Sequence, residues 1–151
     1  MDALYRIYRD EEIKKYVEPL YENRQEEIEF TRAYIENAYK FFGYGKWIME
    51  THDGNVIGRA GLSNREYNGE TIVEVGYLLD GQYRNKGYAS EALNAIMDYG
   101  WNELELSSLY CFIRPDNTHS IKFAGKHGFV YEGRAVSEDM EFSVYKRKKP
   151  V

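Results

Sequence analysis

What this chain lacks already argues against several kinds of protein. Its 151 residues contain one cysteine, Cys111, so no disulfide can form within the chain. No apolar run approaches the roughly 20 residues that a membrane-spanning helix needs, and no signal-peptide pattern precedes the first predicted helix. We therefore expect a cytoplasmic protein with no membrane partner. Cys111 is flanked by aromatic and apolar residues, so it is expected to be a core thiol and not a nucleophile.

Clusters of positive charge and metal-ligand spacings are also scarce. The net charge of −5 argues against a nucleic-acid surface, which needs clustered lysine and arginine to bind phosphates. We interpret the one dense basic run, residues 146–149, as a solvated terminal tail. His52, His119 and His127 lack the spacing of metal ligands, so no metal site is expected. An acidic surface suits a cationic amine substrate better than an anionic one.

The composition, with 43% hydrophobic and 30% charged residues, is that of one globular domain covering residues 1–151. A first helix is predicted over residues 3–13. A second begins after Asn23, which with Glu26 three residues later forms a variant of the capping box, and it runs to about residue 42. Four residues are predicted to share one face of the second helix: Ile28, Ile35, Tyr39 and Phe42.

Six strands and two more helices are predicted after residue 42. The strands cover residues 46–50, 56–63, 71–79, 109–113, 129–135 and 141–146, and the helices cover residues 88–102 and 120–127. The dipeptides Asp53-Gly54 and Asn68-Gly69 between the first three strands indicate an antiparallel meander. The third strand, the long helix and the fourth strand favour a right-handed parallel crossover. The long helix has four residues on its predicted buried stripe: Ala89, Leu93, Ile96 and Gly100.

The most informative stretch, residues 73–102, is predicted to be a strand, a short basic loop and a helix that begins at the loop. A helix N-terminus has unpaired backbone N–H groups and about half a positive charge, so such a turn suits a pyrophosphate. Gly87 and Ala89 lack bulk where phosphates would approach the backbone, and Arg84 and Lys86 add positive charge. Nucleoside-triphosphate and dinucleotide sites are not supported, because the chain has no GxxxxGK[ST] and no GxGxxG with a following acidic residue.

The sequence Arg84-Asn85-Lys86-Gly87-Tyr88-Ala89 matches the pattern Gln/Arg-x-x-Gly-x-Gly/Ala and resembles the coenzyme A pyrophosphate loop of the GNAT superfamily of N-acetyltransferases. The preceding strand ends in the block Gly76-Tyr77-Leu78-Leu79-Asp80, and the blocks Asp116-Asn117-Thr118-His119-Ser120 and Gly128-Phe129 follow. In this order and spacing they resemble the ribosomal-protein alanine N-acetyltransferase branch. Arg84 and Asn85 stand where Gln-Gly is common, but Asn85 tolerates left-handed backbone angles better than most residues.

The resemblance covers nearly the whole chain and implies a GNAT fold of the α/β (α+β) class. That fold has a mixed central sheet with an antiparallel meander, a splayed parallel strand pair and flanking helices. Acetyl-CoA would be the co-substrate, with its pyrophosphate on the loop and helix start: Arg84, Asn85, Lys86, Gly87, Tyr88 and Ala89. The pantetheine and acetyl carbonyl would meet the backbone of Tyr77, Leu78 and Leu79, and Asn117 would contact the pantetheine.

One departure from the family concerns the beginning of the chain. The family normally starts with a strand, whereas this chain starts with helical residues, so the domain is expected to lack that strand. One sheet edge would then be open. A second copy of the chain, as a homodimer, or a partner strand could pair there.

Attack on a thioester needs a neutral amine, so a carboxylate or a water chain must remove a proton. Glu74 is the first candidate base and Glu70 a more distant one; alternatively, Glu74 points to solvent or binds the positive charge of the substrate. Many GNAT enzymes protonate the thiolate from a tyrosine four residues after the NxxS serine, but Ala124 stands there. In the alanine branch the serine can take that role, which makes Ser120 the candidate acid. Its alternative is a helix N-cap, a role that Asn117 could equally take.

The resemblance therefore implies direct transfer of acetyl from acetyl-CoA to a primary amine, first of all the α-amine of a protein N-terminus, as in ribosomal proteins. A small-molecule amine such as a polyamine, an amino acid or an antibiotic is the alternative acceptor. A non-catalytic acyl-CoA-binding module is the alternative outside the enzymes, and Ala124 and the missing first strand favour it.

Overall fold

The computed structural model describes residues 1–151. Its helices are α1 (Asp2–Ile7), α2 (Glu11–Lys14), α3 (Arg24–Tyr34), α4 (Lys40–Phe42), α5 (Tyr88–Asn102) and α6 (Thr118–Lys126). A π-helical turn, Ile35–Tyr39, joins α3 to α4, and a 3-10 turn, Gly81–Tyr83, precedes α5. The strands are β1 (Lys46–Glu50), β2 (Val56–Tyr67), β3 (Glu70–Leu79), β4 (Ser108–Ile113), β5 (Val130–Ser137) and β6 (Met140–Lys148). None of the helices combines the length and the apolar character that crossing a membrane would require.

The six strands form one mixed sheet in the order β1-β2-β3-β4-β6-β5. β1 pairs antiparallel with β2, and β6 pairs antiparallel with both β4 and β5. β3 and β4 are the parallel pair, and their ladder consists of the residue pair Glu74 and Tyr110. The mixed sheet and the parallel pair that the sequence predicts are therefore confirmed.

The residues group into two compact units. The first consists of Met1–Gly61 and Tyr77–Ala92, and the second of Leu62–Gly76 and Leu93–Val151. Strands β2 and β3 and helix α5 each contribute residues to both units.

The core of the first unit includes a cluster that joins the first two helices to the end of β3. Ile7, Ile13 and Leu78 form its buried centre. On β2, a Cβ atom at Gly58 would lie 2.1 Å from the carbonyl oxygen of Leu78, which is far inside van der Waals contact. Gly58 is therefore required by the close approach of two backbone segments.

The core of the second unit is built on one side by Ile72, Tyr110 and Val144. Helix α5 contributes five buried residues: Leu93, Ile96, Met97, Gly100 and Trp101. The predicted stripe is thus confirmed at Leu93, Ile96 and Gly100, while Ala89 is half-buried. Leu109 and Leu106 pack against the helix at Gly100, where a Cβ atom would lie 3.5 and 3.6 Å from them, in ordinary van der Waals contact.

The prediction of one helix over residues 3–13 was wrong. The structure has two short helices, α1 and α2, with a break between them at Asp10. Asp10 has extended backbone angles, and its side chain accepts a hydrogen bond from the N–H of Glu12 at 2.8 Å. An aspartate in this conformation caps a new helix, so the helix register begins again there.

The predicted buried face of the next helix was wrong at two of its four residues. The cap at Asn23 is confirmed, because its side chain accepts from the N–H groups of Gln25 and Glu26. However, Ile35 and Phe42 are 50% and 43% exposed. The π-helical turn holds more residues than an α-helical turn, so it rotates Phe42, which follows it, away from the 3.6-residue spacing. Ile35 begins that turn, and the residue that α3 buries is Glu27.

The basic run at residues 146–149 is not a solvated tail, as its sequence suggested. Its first three residues are part of β6. Arg147 donates a hydrogen bond to the carbonyl oxygen of His127 at the end of α6, and Lys149 donates one to that of Trp101 at the end of α5. Both cations thus stabilise helix C-termini, where the backbone carries partial negative charge.

Candidate functional site

The loop between β3 and α5 lies in the first unit, and Asp80 fixes its start. The N–H of Asp80 donates to the carbonyl oxygen of Ile57 at 2.7 Å, which attaches the loop to β2. The side chain of Asp80 accepts from the N–H of Gln82 at 3.0 Å, so it caps the 3-10 turn. Arg6 is 3.4 Å from the other carboxylate oxygen. The loop therefore begins from a strand end held by main-chain and side-chain bonds.

Two residues give the loop its sharp change of direction. Asn85 has φ 60° and Gly87 has φ 88°, both in the left-handed region. The left-handed conformation expected for Asn85 is thus confirmed. The carbonyl oxygen of Gly87 then accepts the N–H of Glu91 at 3.0 Å, and α5 begins. The N–H groups in the first turn of α5 have no partner within the helix and carry partial positive charge.

The space in front of Gly87 is open. A Cβ atom built there would meet nothing within 4 Å, and Lys86 and Gly87 are exposed. An anion can therefore reach the backbone at the start of a 15-residue helix. This geometry fits the diphosphate of a coenzyme A thioester.

Two cations flank the loop. The guanidinium of Arg84 is 3.8 Å from the carboxylate of Asp10, the residue that caps α2. The Nζ of Lys86 is 5.7 Å from the centre of the Tyr83 ring, and the Tyr83 ring packs edge-on against that of Tyr88. Arg84 is thus paired with the residue that caps α2 in the same unit, while Lys86 lies on the exposed side of the loop.

Tyr77, Leu78 and Leu79 are the last residues of β3 and also belong to the first unit. Leu78 and Leu79 are buried, and Leu78 packs with Ile7 and Ile13. Their side chains thus fix the strand end, and the part that can bind a ligand is the backbone. Tyr88 and Ala89 follow in the first turn of α5, half-buried.

Glu74 lies in the second unit, on β3, and its carboxylate is paired. Oε2 accepts a hydrogen bond from Nη1 of Arg65 at 2.9 Å, and the Glu74 side chain is 18% exposed. The alternative in which Glu74 points freely to solvent does not match this geometry. Glu70, the more distant candidate, is exposed at the start of β3.

Asn117 and Ser120 come together at the start of α6 in the second unit. The side-chain oxygen of Asn117 accepts from the N–H of Ser120 at 3.3 Å, so Asn117 is the N-cap. Because Asn117 is the cap, the alternative cap role of Ser120 does not apply. Ser120 is half-buried in the first turn of α6. Ala124, four residues after Ser120, is buried.

Cys111 lies on β4 in the second unit. Burial raises the pKa of its thiol well above the ordinary value, and the carboxylate of Glu74 adds to the effect. The thiol is therefore neutral, which argues against a nucleophile. By its exposed surface Cys111 is half-buried, so the expected core role is met only in part. Among His, Cys, Asp and Glu side chains, no group of three or more is arranged to hold a metal ion.

The sequence reasoning missed Arg65, because the predicted strand ended at residue 63 whereas β2 continues to Tyr67. The sequence contains no clear signal there, because Ser63-Asn64-Arg65-Glu66-Tyr67 shows no alternation of apolar and polar side chains. The period of two that is typical of a strand appears only in the fold, where Ser63, Arg65 and Tyr67 are half-buried and Asn64 and Glu66 are exposed.

The comparisons with known families give a direct match. The sequence model described as "Acetyltransferase (GNAT) domain" matches residues 1–130. The uncharacterized protein YkkB of Bacillus subtilis strain 168 is 30% identical over 146 residues, which cover 94% of this chain and 82% of that protein.

More distant relatives have named acceptors. The ribosomal-protein-serine acetyltransferase of Escherichia coli K12 is 32% identical over 60% of this chain and 50% of its own length. A spermidine N(1)-acetyltransferase of Vibrio cholerae is 26% identical over 62% of this chain and 53% of its own length. The crystal structure of the ribosomal-protein-S5-alanine acetyltransferase from Vibrio fischeri has the same fold, with a TM-score of 0.77 and 20% identity over 98% of this chain and 88% of that one.

Proposed function

This chain belongs to the GNAT acetyltransferase family and is an acetyl-CoA-dependent N-acetyltransferase, and from this premise we propose that its acceptor is the α-amine of a protein N-terminus. The observation that carries the co-substrate assignment in this chain is the open left-handed turn at Gly87 in front of α5. It offers backbone N–H groups to a diphosphate, with Arg84 and Lys86 beside them.

The proposed reaction is direct transfer. The lone pair of the acceptor nitrogen forms a bond to the thioester carbonyl carbon, the carbon–sulfur bond breaks, and coenzyme A leaves as a thiolate. In this proposal Glu74 removes the proton that the amine loses, and Ser120 donates a hydrogen bond or proton to the departing sulfur. The backbone of Tyr77, Leu78 and Leu79 binds the pantetheine and the acetyl carbonyl, and a backbone N–H there stabilises the oxyanion.

An α-amine is favoured by its acidity. Its ordinary pKa lies near 8, so roughly a tenth of it is neutral at pH 7, whereas a lysine amine near 10.4 has far less. A carboxylate that is already engaged by an arginine, as Glu74 is, then suffices as a base. The relative named as a ribosomal-protein-serine acetyltransferase supports this acceptor class.

A polyamine is the second candidate acceptor. The spermidine N(1)-acetyltransferase among the relatives supports it, and so does the net charge of −5, which attracts a polycation.

The cytoplasmic location and the homodimer stay predictions.

The co-substrate site is tested by calorimetric titration with acetyl-CoA. Gly87→Glu places a carboxylate where the diphosphate would approach, so it should abolish the micromolar binding that we expect of the parent chain. Gly54→Glu is the matched control. Gly54 has φ 85° in a hairpin turn and equally open surroundings, so the substitution adds the same charge and the same backbone strain elsewhere. A folded parent that does not bind acetyl-CoA would refute the assignment.

The acceptor is tested by thiol release from acetyl-CoA with peptides that have free N-termini, the same peptides with blocked N-termini, and spermidine. Turnover of the free peptides alone supports the α-amine. Turnover of spermidine alone, or of blocked peptides through a lysine, contradicts it. Acetyl-CoA binding without turnover of any amine would favour a non-catalytic module.

A further inference from the structure

Arg65 stands out among the charged residues of the second unit because it is enclosed by its own sheet. It lies on β2, its side chain is 24% exposed, and its Nη1 is 2.9 Å from Oε2 of Glu74. The carbon at the centre of its guanidinium is 4.3 Å from the centre of the Phe112 ring and 4.6 Å from that of Phe142. The cation thus has one carboxylate partner and two aromatic ones.

The aromatic partners are themselves held in place. Phe112 packs edge-on against Phe142 and against Tyr67. Phe112 and Phe142 come from β4 and β6, which are paired along six residues. A guanidinium is planar and delocalised, so it packs on aromatic rings while its N–H groups keep a directed bond. The rings therefore restrict the guanidinium, and the guanidinium restricts the carboxylate.

A second arginine–glutamate pair in the same unit is more exposed than the Arg65–Glu74 pair. Arg134 and Glu141 also join two neighbouring strands, but their side chains are 69% and 44% exposed. An exposed pair of this kind leaves both side chains mobile and contributes little to stability. The Arg65–Glu74 pair, on the interior strands β2 and β3, is more enclosed than an ordinary surface pair, with side chains 24% and 18% exposed.

We propose that Arg65, held by Phe112 and Phe142, positions the Glu74 carboxylate for proton removal from the acceptor amine. The inference rests on the proposed function, in which Glu74 is the base. Arg65 is then a positioning residue and not a catalytic one, because it acts through Glu74. Its hydrogen bond to Oε2 restricts the position of that carboxylate oxygen.

The test is a double-mutant cycle on turnover, with Arg65→Gln, Glu74→Gln and the double variant. A general base contributes about a hundredfold or more to the rate, so Glu74→Gln should lower kcat by that order. We expect Arg65→Gln to lower kcat by about tenfold and leave the KM for acetyl-CoA within about twofold. If Arg65 acts only through Glu74, the double variant is about as slow as Glu74→Gln alone. Arg65→Lys, which keeps the charge but not the planar fork, should recover only part of the rate.

Arg134→Gln is the matched control, since it removes an interstrand arginine–glutamate pair that does not contain Glu74. It should leave kcat unchanged. Circular dichroism and acetyl-CoA affinity report folding for every variant. If Arg65→Gln does not fold, Phe142→Leu replaces it: the substitution keeps an apolar side chain but removes one ring from the guanidinium. We expect it to lower kcat by about threefold while acetyl-CoA binding is retained.

Two outcomes would overturn the inference while the proposed function stands. They are an unchanged kcat in both Arg65→Gln and Phe142→Leu, and a double variant whose loss is the product of the single losses. A Glu74→Gln variant as active as the parent would refute the base that the proposed function names, and would remove the ground of this inference. A parent that binds acetyl-CoA but acetylates no amine would instead refute the proposed function, and this inference with it.

Discussion

At the scale of single residues, the raised pKa of the Cys111 thiol is expected to make this cysteine less reactive than a free one. Burial raises its pKa, with a further contribution from the Glu74 carboxylate, so the thiol stays protonated where an ordinary cysteine is already a thiolate. The unfolded chain ionises at a pH near 8.5 and the native chain does not. The contribution of this group to stability is therefore complete below that pH, and it is lost as the pH rises further.

We expect Cys111 in the native protein to react with iodoacetamide at pH 8.5 at least about tenfold more slowly than a free cysteine does. In denaturant the two rates should converge. Mass spectrometry after timed quenching measures both rates, and a Cys111→Ala variant gives the background. Native labelling at the rate of the free thiol would show that the cysteine is exposed and reactive, against the core role.

Residues also differ in how well their structural roles can be predicted from the sequence alone. Asn85 and Gly87 could be predicted, because a loop between a strand and a helix needs left-handed residues and these two provide them locally. Asn117 and Ser120 were the two candidates for the N-cap of the helix after β4, and the structure gives that role to Asn117. The pairing of Arg65 with Glu74 could not be predicted, because it depends on which strands become neighbours and on rings from β4 and β6.

At the scale of elements, short-range signals predicted the boundaries well. The helix over residues 88–102 and the strand over residues 46–50 have the predicted bounds. The failures have physical causes that a periodic pattern does not contain. Asp10 divides one apolar pattern into two helices, and the π-helical turn at Ile35–Tyr39 rotates the residues after it. The glycines of β2 are required by backbone contacts that form only after the strands have packed.

Gly58 gives the sharpest test of these strand contacts. In Gly58→Ala the new Cβ would lie 2.1 Å from the carbonyl oxygen of Leu78, so the end of β3 must move. Overpacking of this kind costs about 1–3 kcal/mol, and we expect a loss of unfolding free energy of about 2 kcal/mol or more. Because Leu78 is a proposed pantetheine contact, acetyl-CoA affinity should also fall. Urea denaturation and calorimetry measure the two effects.

The control for this substitution is Gly76→Ala on β3. Gly76 has no positive φ, and a Cβ built there meets nothing within 4 Å. It should change the unfolding free energy by less than about 0.5 kcal/mol. If Gly58→Ala and Gly76→Ala lost equal amounts of unfolding free energy, the loss could not be assigned to the contact between Gly58 and Leu78.

At the scale of the whole molecule, charge is distributed unevenly. The chain carries 25 acidic and 20 basic side chains, yet Arg84 and Lys86 flank the loop assigned to the diphosphate. Arg147 and Lys149 are meanwhile engaged at helix C-termini. A local basic loop on an acidic protein can bind an anionic co-substrate while the wider surface attracts a cationic acceptor, because the loop acts at contact distance and the net charge at longer range.

This distribution predicts how the acceptor's charge affects the rate. Three peptides with the same first residue and a lysine, glutamine or glutamate pair after it would be compared at 50 and 500 mM NaCl. At low salt we expect kcat/KM to be about tenfold higher for the lysine peptide than for the glutamate peptide. At high salt screening should reduce the difference to about twofold. Initial rates of thiol release at saturating acetyl-CoA measure this. A preference for glutamate, or a lysine preference that salt does not weaken, would mean that local contacts and not the net charge of −5 select the acceptor.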